Sequence, residues 1–280
     1  MNVTRPAGLA CLCLSVALLS PSAASAQSSL RETLARHGVQ VRDRGIEGAF
    51  DDGVEPAIAV TPGSFAVPLA MLSSGEGRDR IEAAYAFGVL AGRSGRAAAP
   101  AELAAAGQSF IQMMASIDRR TRIAGARVAG RVFAVPLQAA AGTANLPAGM
   151  LDAVFAVFNQ DHEFDQLAAM DALGLLRATM AVTALTERYA FYRGAGQRAL
   201  AGGALEALAR IGEPSSVELV RQVAGDKWAG GKDSTALAVS FARERLLKDG
   251  SLVALQQALD DKSRRAQARG YLIELGVPVP

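Results

Sequence analysis

Cysteine is nearly absent from this chain. Its 280 residues include two, Cys11 and Cys13, both inside one apolar stretch near the N-terminus. Everything after them is free of thiols, which excludes disulfides, thiolate metal sites and cysteine nucleophiles from the bulk of the chain. Histidine is equally scarce, with His37 and His162 alone. There is one tryptophan, Trp228, and aromatic residues make up 5% of the total. Sheets draw on Val, Ile, Tyr and Phe, whereas alanine and leucine supply most of the apolar content here, which favours closely packed helices.

An excess of charge is missing as well. Lys and Arg number 29 and Asp and Glu 27; Arg5 is the only charged residue among the first 26, so the remainder holds 28 basic against 27 acidic residues. So even a balance gives no global drive toward nucleic acid or acidic membranes. After the N-terminal stretch no run approaches 18 uncharged apolar residues, so no transmembrane helix is expected there. The sequence has no Gly-x-Ser-x-Gly elbow, and no strand set that would present a glycine-rich phosphate loop.

What is present begins with an address. Arg5 supplies a positive start, residues 7–19 an apolar core, and Ala24-Ser25-Ala26 a small-x-small cleavage pattern after Pro21. Residues 1–26 therefore read as a secretory signal peptide, and the protein is expected in the periplasm or outside the cell. Cys11 and Cys13 lie within the apolar run rather than after it, which argues against lipid attachment.

The next feature is a repeat. Leu200, Ala204, Leu208 and Ile211 fall at helical spacing on one face, Gly212 supplies a stop, and Pro214 suits the first turn of a following helix. The phrase recurs, and its copies align on Gly88, Gly130, Gly174, Ala209, Ala242 and Ile273. The steps are about 31 to 44 residues, the range of helical repeat arrays. A small residue at the aligned position lets neighbouring helices approach closely. Between these helices lies a second set, at residues 62–72, 100–116, 147–159, 178–192, 214–224 and 250–259, four of which start at proline. The sequence thus predicts an all-α fold, a right-handed α-solenoid of about six helix pairs over residues 62–276, with a tail at 277–280. Residues 27–61 do not fit the repeat. They read as an N-terminal cap, with a short helix near residues 30–36 and extended or turn character over residues 39–62.

The phrase at residues 204–214 resembles a HEAT repeat, particularly the short bacterial kind shared with phycobilin-lyase-like proteins. The second helix of that family reads roughly Val-Arg-x-x-Ala-x-x-Ala-Leu-Gly-x-Ile-Gly, then an acidic residue and proline. Ala204, Ala207, Leu208, Ile211, Gly212, Glu213 and Pro214 match it. Arg80, Arg122 and Arg265 fall on the family's arginine position, whereas Gln166, Ala201 and Ser234 depart from it; Gly125 replaces the alanine and Phe133 the terminal glycine. The resemblance implies a scaffold or binding surface more than a reaction. An exported protein-interaction scaffold or accessory subunit is the leading expectation. The alternatives are an enzyme or cofactor-handling protein of lyase-like type, and an architectural component of the cell envelope.

Two groups of residues are candidates for partner binding. Arg119, Arg120, Arg122, Arg127 and Arg131 share one second-position helix, and Arg264, Arg265 and Arg269 another. Such helices commonly line the concave face of a solenoid, where arginines would form a basic groove for an acidic partner; the competing reading is that they pair with acidic residues of neighbouring repeats and hold the array in register. Trp228, in a glycine- and charge-rich connector, reads either as a plug over helix ends or as an exposed anchor. His162, in Asp161-His162-Glu163-Phe164-Asp165, reads as a turn leading into an acidic first helical turn rather than as a metal ligand. No cofactor and no metal are expected. If the leader is cut after Ala26, N-terminal analysis of protein from the cell envelope will begin at Gln27; an intact Met1 or a lipid on Cys11 would overturn the assignment.

Overall fold

The computed structural model describes residues 23–51, 60–93, 98–137, 146–225 and 234–279. The predicted leader lies outside these up to residue 22, and so does Trp228. Among the described residues every regular element is a helix: fourteen α-helices with a few short 3-10 turns. The first two are α1 (Ala23–Arg36) and α2 (Gly45–Asp51). Six pairs follow: α3 (Ala66–Ser74) and α4 (Gly77–Arg93), α5 (Pro100–Met114) and α6 (Arg119–Val132), α7 (Met150–Phe158) and α8 (Glu163–Leu175), α9 (Val182–Gly194) and α10 (Arg198–Ile211), α11 (Ser216–Ala224) and α12 (Ser234–Leu247), α13 (Leu252–Gln257) and α14 (Arg265–Glu274).

The helix ends follow local chemistry. Asp118 caps α6 by accepting from the Thr121 amide at 2.8 Å. The Glu102 carboxylate turns back to accept from the Ala99 amide at 2.8 Å, and Pro100 occupies the first turn of α5. His162 caps α8 through Nδ1, which accepts from the Phe164 amide at 3.3 Å. That use of the ring fits a turn and a helix start. Helix α10 stops at Gly212, whose φ of 76° is the left-handed conformation that a side chain would strain.

Each first-position helix packs on its own second-position partner, and the even-numbered helices form a row. Helix α4 packs on α6, α6 on α8, α8 on α10, α10 on α12, and α14 on α12. The six aligned positions of the repeat all lie on this row. Where they are glycine, the helices come very close. A Cβ on Gly130 would stand 2.8 Å from the Ala172 Cα, and one on Gly174 2.8 Å from the Ala207 Cα. A Cβ on Gly88 would reach Val128 Cγ1 at 3.1 Å and the Phe50 ring at 2.6 Å. In each case the aligned glycine meets the residue two places before the aligned position of the next helix. One geometry is therefore used three times over.

The apolar positions of α10, Leu200, Ala204, Leu208 and Ile211, are all buried. The core runs on through successive aromatic contacts, a tilted one between Phe65 and Phe87 at 4.9 Å and an edge-to-face one between Phe87 and Phe110 at 6.0 Å. Toward the C-terminus a second cluster joins α12, α13 and α14 around Phe241 and Tyr271, whose rings stack at 4.5 Å.

The N-terminal segment corrects the expectation of an extended stretch after residue 39. Residues 45–51 are helical, because Ile46, Ala49 and Phe50 fall on one face and bury against α4. Seven residues would not hold a helix alone; packing supplies what local propensity lacks. Helix α1 also packs on α4, so together the two helices cover the first helix of the row. It starts at Ala23, so the expected cleavage point after Ala26 falls in its opening turn.

Leu208 is fully buried in the middle of the row. Leu208→Ala should lower unfolding free energy by about 2–5 kcal/mol, the range for a buried leucine that leaves a cavity. Urea unfolding followed by circular dichroism measures it; an unchanged midpoint would contradict the packing described.

Candidate functional site

The arginines singled out in the sequence separate into two kinds. Arg122 is largely buried and fixed: its Nε and Nη2 donate to the two carboxylate oxygens of Asp165 at 3.1 and 3.2 Å, and its Nη1 donates to the carbonyls of Ser116 and Ile117 at 3.1 and 2.9 Å. Asp165 is wholly buried, so the pair ties the start of α6 to the start of α8 in a dry setting. Next to it Gln166 donates to the Gln160 carbonyl at 2.8 Å and accepts from the Tyr192 hydroxyl at 3.1 Å, which draws α9 into the same network. Arg119, Arg265 and Arg269 stand exposed, Arg265 donating to the Leu259 carbonyl at 2.6 Å. The structure does not bring α6 and α14 together, so these residues do not form one groove.

A second network crosses the row. It uses two register positions, three residues before and one residue after the aligned position. They hold Tyr85 and Val89 on α4, Arg127 and Arg131 on α6, Asp171 and Leu175 on α8, Glu206 and Arg210 on α10, Val239 and Arg243 on α12, and Gly270 and Glu274 on α14. A helix places positions four apart on one face, so the polar members make a stripe across successive helices.

At the α4 end, Arg127 donates to Glu47 Oε1 at 2.9 Å, to the Tyr85 hydroxyl at 3.2 Å, and to Asp51 through a short contact. The Tyr85 hydroxyl in turn donates to Glu47 at 3.0 Å. Arg131 lies over the Phe50 ring at 4.1 Å and donates to the Phe50 carbonyl at 2.5 Å. At the other end, Arg210 donates through Nη1 to Asp171 at 2.7 Å and grips Glu274 with two bonds of 2.8 and 2.9 Å. Tyr271 donates to Glu206 through a short contact, and Gln267 donates to the same oxygen at 3.2 Å.

The electrostatics follow from crowding. Burial pushes the Tyr85 phenol well above the usual tyrosine range, with Glu47 adding to the effect and Arg127 opposing it. Burial works against the charge on Arg127, yet Tyr85, Asp51 and Glu47 outweigh it and hold the guanidinium above its ordinary value. Arg131 goes the other way: burial and the cations Arg127 and Arg210 lower it, although Asp171 opposes them. Burial likewise disfavours the charged form of Arg210, but Glu274 and Asp171 reverse the outcome and raise it further. Glu206 is raised, first by burial and then by Asp171 and Glu274, against the pull of Arg210 and Tyr271. Read along the row, Glu47 and Asp51, Arg127 and Arg131, Asp171, Arg210, and Glu206 with Glu274 alternate in sign. The arginines of the stripe are met by carboxylates, and the face is no basic groove.

Sequence reasoning placed Arg127 on this face but missed its carboxylate partners, the two tyrosines and Arg210. The shared register position was the available signal; the acidic residues at Asp171, Glu206 and Glu274 repeat it. Among the described residues no group of three or more His, Cys, Asp or Glu side chains is placed to hold a metal ion, and no helix is long and apolar enough to cross a membrane. Comparison with known protein families, characterised proteins and solved structures gives no match.

Arg122 and Arg119 separate the two roles. Arg122→Ala leaves Asp165 buried without its cation and should cost about 3–5 kcal/mol. Arg119→Ala should change stability by less than about 0.5 kcal/mol, as surface substitutions do. Chemical denaturation of both variants tests this, and equal losses would contradict it.

Proposed function

We propose that the protein is an exported α-solenoid of HEAT-like repeats that works as a protein-interaction scaffold or accessory subunit and not as a catalyst. Support for the repeat array comes from the even-numbered helices, each packed on the next through the same register. The observation that carries the functional reading is the division of the polar residues. The arginines drawn into the protein, Arg122, Arg127 and Arg210, are spent on carboxylates of other helices, in Arg122–Asp165, Arg127–Glu47 and Arg210–Glu274. Large apolar side chains, in contrast, are left in solvent near the turns that lead into the row. Ile117, before α6, is fully exposed, and Phe164, at the start of α8, is 54% exposed. Arg122 bonds the carbonyl of Ile117 and the carboxylate beside Phe164, so the two stand on neighbouring turns of one edge. Isolated exposed apolar residues are ordinary, but a pair fixed on adjacent repeats suits a binding edge.

One observation favours the alternative of an enzyme: the cluster of Glu206, Tyr271 and Arg210 has the displaced proton affinities that active sites also show. Against it, Arg210 is fully engaged by Asp171 and Glu274.

Capture of partners by the Gln27–Pro280 form from its own cell envelope tests the reading. The wild type should retain a partner that the double variant Ile117→Asp, Phe164→Asp loses by about tenfold or more, the effect of removing roughly 1.4 kcal/mol of contact, while its helical signal and melting stay unchanged. Identical capture by both forms, or a reaction product traced to Glu206 and Tyr271, would overturn it.

A further inference from the structure

The carboxylates around Arg210 outnumber their cation. Asp171 on α8 and Glu274 on α14 each meet it directly, at 2.7 and 2.8 Å, whereas Glu206 stands 3.7 Å away. One guanidinium has five donors and one charge, and Glu274 alone takes two of those donors. Glu206 is thus the least compensated of the three acids. It is also the one that α14 covers: the Tyr271 hydroxyl and the Gln267 amide both lie on its Oε1. Below the cluster sits apolar surface, since Tyr271 stacks on Phe241 of α12 and Arg210 lies over the same ring at 5.9 Å. Among the described residues, Arg210 is the cation set against Glu206. Helix α8 contributes Asp171, α12 the Phe241 ring, α14 Tyr271, Gln267 and Glu274, and α10 itself Arg210; Arg131 of α6 lies beyond, toward Asp171.

We infer that this cluster is a proton-tightened clasp: α14 is held on α10 and α12 most firmly when Glu206 carries a proton, and its grip loosens as Glu206 ionises. Docking of α14 takes the Glu206 carboxyl out of most of its water and sets Glu274 near it; release of α14 restores the water and removes Glu274. The docked state therefore binds the proton more tightly than the released state, in line with the upward displacement of Glu206. The sign follows from linkage: a carboxyl raised on docking favours docking below its raised value, and the advantage is lost as pH rises through it. Release of α14 uncovers Phe241 and the adjoining face of α12, a surface that is otherwise core. The inference is independent of whether the protein is a scaffold.

Hydrogen exchange read by mass spectrometry tests it on the Gln27–Pro280 form. After correction for intrinsic exchange, the amides of α14 should be at least several-fold better protected near about pH 5 than near about pH 8, a window that lies above the ordinary carboxyl range, with those of α6 unchanged. Glu206→Gln keeps the shape and an acceptor oxygen but cannot ionise, so α14 should be equally protected at both values. Tyr271→Phe should weaken protection at both and keep the pH dependence. A wild type with no pH dependence in α14, or a dependence that survives in Glu206→Gln, would overturn the clasp; a Gln variant with lost helical signal would do so too, because it would make the ionised form the structural requirement.

Discussion

The distance between successive even-numbered helices governs the rest of this structure. Gly130 and Gly174 sit so close to the backbone of the next helix that a single Cβ would fall 2.8 Å from a Cα. No rotamer change relieves a clash with backbone, so only the absence of a side chain permits this spacing. Packed interiors have no slack to spare, and a helix pushed outward at one boundary would lose its apolar contacts along the whole boundary. The scarcity of large aromatic residues and the abundance of alanine follow from the same demand.

Close spacing also explains the charges. With helices this near, side chains one helical turn from the aligned position reach their counterparts on the next helix, and so Asp171 meets Arg210 and Tyr85 meets Arg127. Such pairs give little net stability, because removing ions from water costs about as much as their attraction returns. What they give is discrimination. A helix shifted by one residue would set Ala209 or Ile211 in the place of Arg210, and Thr121 or Ile123 in that of Arg122, leaving their carboxylates without a cation. Packing that relies on glycine and alanine is smooth and poorly keyed, and the ion pairs supply the key.

Much of this was legible in the residues. The small amino acid at the aligned position and the periodicity of Leu200, Ala204, Leu208 and Ile211 located the second-position helices; Pro100 marked the start of its partner, whereas Pro62, Pro147 and Pro214 fall two to four residues before theirs. The segment around Phe50 was not legible. Its helix owes its existence to the face of α4, and a seven-residue stretch with glycine at its start has no such tendency by itself. For the polar face the arginines were visible and their partners were not. Glu47 and Asp51 lie about 80 residues from Arg127 in sequence, and Glu274 lies 64 from Arg210. No local rule connects residues so far apart, and only the repeat register links Asp171, Glu206 and Glu274 as members of one stripe.

Two of the ion pairs reach past a neighbour. Arg127 joins α6 to α2 across α4, and Arg210 joins α10 to α14 across α12. In a linear stack held only by adjacent contacts, the outermost unit has one boundary instead of two and is the first to peel away. Here the outermost helices carry a strap across a neighbour, so α2 or α14 must break an ion pair with the helix beyond as well as its own boundary before it leaves. Resistance to fraying is thereby added at the ends, where a row of helices ordinarily has least of it, while the inner α6 and α8 are tied directly by Arg122 and Asp165.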